Sequence, residues 1–150
     1  MNAAAHRRLA TDSWESLLRS QVAMMRELQK EPSFKALGSR EYDILYNLSR
    51  CPSGWLRLNE LNDHVLLTQP SISRMVDRLE ARGWIQRKTA ENDRRGVLIG
   101  LTEEGAALQK QVGRAHVQNI LELMEAALTD DEMRTLQELT GKLSASVAGN

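Results

Sequence analysis

Several absences bound this chain before any motif is considered. It has a single cysteine, Cys51, so no disulfide can form within it, which agrees with a reducing compartment. Only six of its 150 residues are aromatic, leaving few rings to anchor a protein-docking face. No apolar run approaches the roughly 20 residues of a membrane helix. The N-terminus "MNAAAHRRLATDSW" has arginines but no apolar stretch of a secretion signal behind them, so a cytoplasmic protein is expected. Also missing are a phosphate-cradling glycine loop, Cys-x-x-Cys, His-Glu-x-x-His and any spacing that joins Ser, His and Asp into a triad, which argues against an enzyme. No cofactor is called for.

Net charge is absent too, but only by cancellation. Residues 68–100 hold seven lysines and arginines against four acids, a surplus of three positive charges. Residues 101–150 carry four bases and eight acids, and the first 67 are nearly balanced. A polyanion meets the local field of the basic middle and not the overall sum.

What is present is mostly helical periodicity. Trp14, Leu17, Leu18, Val22, Met25 and Leu28 predict a helix from about 14 to 28, ended by Pro32. Ser39 is the candidate N-cap of a second helix, with Tyr42, Leu45, Tyr46 and Leu48 on its apolar side and Cys51-Pro52-Ser53-Gly54 as its stop. A short third helix near 58–65 follows "WLRL". The fourth opens in "QPSISRMVDRLEARGW", residues 69–84, with Thr68 as cap and Pro70 tolerated in the first turn. "WIQRK" and "VLIGL" read as two short strands joined by the polar tip "TAENDRRG". A long helix begins at Thr102, with Leu108, Val112, Ile120, Leu121, Met124 and Leu128 among its apolar positions. Thr129 and Glu132 then form a capping box for a last helix bearing Met133, Leu136, Leu143 and Val147. The expected fold is mainly α with a small β-hairpin wing.

In the fourth helix, Ile72, Met75, Val76 and Leu79 make one buried stripe, while Ser73, Arg74, Asp77 and Arg78 lie on the other side. Two helices joined by a short turn, the second with polar groups at its start, resemble a helix-turn-helix, whose second helix enters the major groove of DNA. Gln69, Ser71 and Ser73 can exchange hydrogen bonds with base edges or phosphates, and Arg74 can pair with guanine through two donors. The Pro70 ring could touch a thymine methyl, and Arg78 is placed for phosphate. At the hairpin tip, Asp93 is suited to brace Arg95 for the minor groove, with Arg94 on a backbone phosphate.

Together, "SISRMVDRLEARGWIQR" and "DRRGVLIGLTEEG" closely resemble the MarR family of bacterial transcriptional regulators, which are winged helix-turn-helix homodimers. The matched elements are Ser73-Arg74, Leu79-Glu80, Gly83-Trp84, Arg87, Asp93, Arg95, Leu101-Thr102 and Gly105. The resemblance implies DNA reading by Pro70, Ser71, Ser73 and Arg74, and a minor-groove contact by Arg95 supported by Asp93. It implies a DNA-binding lobe at 55–101 and a dimer built from 1–54 and 102–150, with 39–54 bridging to the lobe. It further implies repression at approximately palindromic sites, relieved by a small aromatic or phenolic effector. Asn62 replaces the family's usual small alanine. Cys51 does not match the N-terminal cysteine of peroxide-sensing members, and His6, His64 and His116 do not reproduce the ligand cluster of zinc-sensing ones, so no metal is expected. The competing reading is a winged helix used only for protein contacts.

Overall fold

The computed structural model describes residues 2–65 and 72–148, and of residues 93–95 the backbone alone. Helix α1 covers Ala3–Leu28, α2 Ser39–Arg50, α3 Leu58–His64 and α4 Ile72–Ala81. Strands β1 (Trp55–Arg57), β2 (Ile85–Ala90) and β3 (Asp93–Leu101) form an antiparallel sheet in the order β1-β3-β2. Helices α5 (Glu103–Glu125) and α6 (Asp130–Ala148) follow. The chain divides into two compact units, Met1–His116 and Val117–Asn150. Among the described residues no helix is long and apolar enough to cross a membrane.

The core of the first unit is built from α2, α3, α4 and the sheet. Leu37, Ile44, Leu45, Leu61, Val76 and Leu79 are fully shielded, with Ile85 and Ile99 contributed by the strands. Burying a side chain of this kind stabilises by about 1.5–3 kcal/mol. The α4 stripe is as its periodicity predicts: Ile72, Met75, Val76 and Leu79 face inward and Ser73, Arg74, Asp77, Arg78 and Glu80 face out.

Several local expectations are corrected. Helix α1 starts eleven residues before Trp14, because Asn2 caps it by accepting from the Ala5 N–H at 2.8 Å and residues 3–10 are mostly good helix formers, alanine, arginine and leucine. Pro32 opens a single turn of 3₁₀ helix (Pro32–Lys35) that the sequence reading missed. The N-cap of α2 is Gly38, not Ser39, and the Glu41 carboxylate accepts from the Gly38 N–H at 3.2 Å. On α2, Ile44 and Asp43 are buried while Tyr46 is more than a third exposed, its ring stacked on Tyr42. "WLR" is a third strand, paired through Trp55↔Gly100, Leu56↔Ile99 and Arg57↔Leu98, so the wing belongs to a three-stranded sheet. The wing turn is only Glu91–Asn92, since the strands run on to Ala90 and back from Asp93. Thr89 lies opposite Val97 but Ala90 opposite Asp93, which leaves Arg94, Arg95 and Gly96 as a bulge on β3. The arginines thus sit in a bulged strand instead of a loose loop.

The Thr129–Glu132 capping box forms as expected, with the Glu132 carboxylate accepting from the Thr129 N–H at 2.8 Å. That hydrogen bond favours the charged form and lowers the Glu132 pKa. Helices α1 and α6 bury no residue within the described chain. Their apolar stripes lie open: Trp14 is 64% exposed, Leu143 56% and Val147 73%.

Candidate nucleic-acid interface

The exposed face of α4 carries the basic side chains of Arg74 and Arg78. Ser73 and Arg74 lie on the outward side of the first turn of α4. Arg78, one turn on, is 61% exposed, and its Nε lies 3.6 Å from Glu41 Oε1. Glu41 therefore serves twice, capping α2 and holding Arg78 beside it. The proposed roles of Thr68, Gln69, Pro70 and Ser71 fall outside the described residues, as do the side chains of Asp93, Arg94 and Arg95.

The end of α4 is fixed by backbone chemistry. Gly83 takes a φ of +78°, open to glycine without strain, and the chain closes a Schellman motif: Trp84 N–H donates to Leu79 O at 3.0 Å and Gly83 N–H to Glu80 O at 2.9 Å. Arg82 then braces the turn, its Nη1 donating to Ala36 O at 2.8 Å while its guanidinium lies over the Trp84 ring at 4.0 Å. Thr102 ties the start of α5 to the same place. Its N–H donates to Trp84 O at 3.1 Å and its hydroxyl to Gly83 O at 2.6 Å, and that hydroxyl accepts from the Gly105 N–H as the N-cap of α5. The spaced Gly83-Trp84 and Leu101-Thr102 pairs are one contact.

Sequence reasoning assigned no role to the contacts that three basic residues, Arg87, Lys88 and Arg57, make in the fold. Arg87 of β2 reaches Asp77 through Nη2 (2.6 Å) and Glu80 through Nε (3.0 Å), both on α4. Lys88 lies over the Trp55 ring at 4.1 Å, and that ring in turn packs against Gly100, where a β-carbon would collide with it. The guanidinium of Arg57 lies against Gly96 of the β3 bulge, where a β-carbon would collide with it. Arg87 and Glu80 had left a sequence signal, as two of the matched family positions.

At the end of α2 the Ser53 hydroxyl lies 3.3 Å from Cys51 Sγ, and hydrogen bonding from it lowers the thiol pKa.

Comparison with known proteins decides the family. Residues 37–97 match the model of the MarR family. The HTH-type transcriptional regulator PecS of Dickeya dadantii is 31% identical over 136 residues, which spans 90% of this chain and 81% of PecS. The chain belongs to the MarR family. The multiple antibiotic resistance protein MarR of Salmonella typhimurium is 37% identical over 103 residues, 69% of this chain and 70% of that protein. A crystal structure of a mutant MarR from E. coli, complexed with operator DNA, superposes with a TM-score of 0.75 at 27% identity, covering 86% of this chain and 91% of that one. This MarR-family member is a DNA-binding transcriptional regulator and not an enzyme. The six α-helices and three-stranded sheet among the described residues are the winged helix-turn-helix architecture of the family.

Proposed function

We propose that this regulator works in the cytoplasm as a homodimer that represses promoters by occupying approximately palindromic sites. Each α4 lies in a major groove, where Gln69, Pro70, Ser71, Ser73 and Arg74 read bases and Arg78 takes a phosphate. Each wing reaches the neighbouring minor groove through Arg95, supported by Asp93, with Arg94 on the backbone. The observation that carries this reading is the division of α4 into a buried apolar stripe and an outward face of Ser73, Arg74 and Arg78. The exposed stripes of α1 and α6 support the dimer, because monomeric soluble proteins rarely leave apolar rows of this length in water. A small aromatic or phenolic effector is the release signal, acting by changing the distance between the two reading heads.

Selection of bound duplexes from a random pool tests the reading. The expected product is an inverted repeat whose half-sites are centred about one helical turn, roughly 34 Å, apart or a multiple of it. Affinity for that duplex falls steeply with salt, as phosphate neutralisation requires. Failure to retain any duplex, even at low salt, would refute the reading and leave a module for protein contacts.

A further inference from the structure

The geometry points to Arg87 as a positioning residue that fixes the angle between the recognition helix and the wing; this role rests on the function proposed above. Arg87 shares a sheet face with Ile85, two residues before it, and is paired with Ile99 on β3. Both isoleucines are buried in the core, so the Arg87 stem leaves the sheet on the side covered by helices. Its side chain is 36% exposed, and the guanidinium forks onto two carboxylates. Asp77 and Glu80 are three residues apart on α4, the spacing that sets two side chains on one helix face. One planar cation with several fixed donors can satisfy both at once, which a point charge cannot do with the same directionality.

The fork spans a natural hinge. Between α4 and β2 the chain passes through Gly83, whose positive φ sets a sharp reversal. The Schellman bonds hold that turn locally, but they reach back only to Leu79 and Glu80. Arg87 closes a longer bracket, from the second strand to Asp77, two residues further into α4. A single exposed ion pair would contribute little. Two arms on one guanidinium instead restrict the direction of the helix relative to the strand, and the wing contact and the base contacts are read from those two elements.

Charge sets the sign of the test. Asp77 and Glu80 are acids on the outward side of a helix that faces a polyanion. Were they mere surface charges, removing them would tighten DNA binding, and freeing Arg87 would tighten it further. A positioning role predicts the reverse. The experiment compares the full chain with its Asp77→Asn/Glu80→Gln, Arg87→Met and Arg87→Lys variants. The probes are the duplex selected by the unaltered protein and a scrambled duplex of equal length. The neutralised pair should bind the selected duplex about tenfold more weakly, the loss expected when one base contact is misaligned. Its preference over the scrambled duplex should fall by a similar factor, at an unchanged thermal midpoint. Arg87→Met should behave alike, with the dependence of affinity on salt unaltered, and Arg87→Lys should recover part of the loss. Equal or tighter binding by the neutralised pair would overturn the role while leaving the proposed function intact. So would a salt slope reduced by about one in Arg87→Met, since that marks a direct phosphate contact. Absence of duplex binding by the unaltered chain would overturn both.

Discussion

The carbonyl of Trp84 occupies the space that a β-carbon on residue 105 would need. Gly105 is buried in the first turn of α5, and the close approach lets Thr102 bond to both Gly83 and Trp84. Because the obstacle is backbone, it cannot swing aside. Gly105→Ala should therefore destabilise the protein by about 1–3 kcal/mol or more, the usual cost of overpacking. Chemical denaturation of the two proteins measures it, and an unchanged midpoint would contradict the packing described.

The two proposed DNA contacts should fail in different ways. Arg74→Ala should weaken the selected duplex by about 1–3 kcal/mol and relax the sequence preference there. Equal losses on selected and scrambled duplexes would show that Arg74 reads no base. Arg95→Ala should weaken binding without altering the unfolding midpoint, because its backbone lies in the bulge of β3, where the strand ladder is already interrupted. An identical binding curve would remove the minor-groove contact.

Leu136 and Leu143 lie 41% and 56% exposed on α6, a helix with no buried residue among those described. Replacing both with glutamine should yield monomers or aggregates if these stripes pair two copies. Light scattering coupled to size exclusion decides it, and a well-folded dimer in the variant would refute the assignment.

His116 should make stability depend on pH near neutrality. Its ring meets Phe34 and Tyr42 edge-on, at centroid distances of 5.3 and 5.4 Å. Its Nδ1 is shielded from solvent and has no hydrogen-bond partner among the described residues. Desolvation lowers its pKa, with the nearby Glu31 carboxylate partly opposing. The folded state thus favours neutral imidazole, whereas the unfolded chain takes up a proton near the ordinary value of about 6.5. Stability is then full above about pH 6.5 and declines as the pH falls from there through the lower folded value. Denaturant midpoints at about pH 8 and pH 5.5 should differ less in His116→Gln than in the parent. An equal difference would exclude His116 as a source of the dependence.

What the sequence by itself determined is what neighbours within about four residues control. The buried stripe of α4, the glycine stop at Gly83 and the Thr129–Glu132 box follow from helical spacing and from hydrogen bonds three residues long. The first turns of α1 were legible on the same terms, through Asn2, but a cap without an apolar stripe behind it is a weak signal.

Only the tertiary structure decided the rest. Three residues, Trp55–Arg57, have no periodicity to read, and they become a strand because β3 offers them an edge more than forty residues later. Asp43 gave no sign of burial, and the bulge at Arg94–Gly96 exists only in the mismatch between two strands. Arg87 meets Asp77 and Glu80 across a turn, so their pairing is set by how α4 lies on the sheet. Local spacing chooses helices and caps through short-range hydrogen bonds and side-chain patterning. Ladders and ion pairs between separate elements depend on where packing of the core carries each element, and that is a property of the folded chain alone.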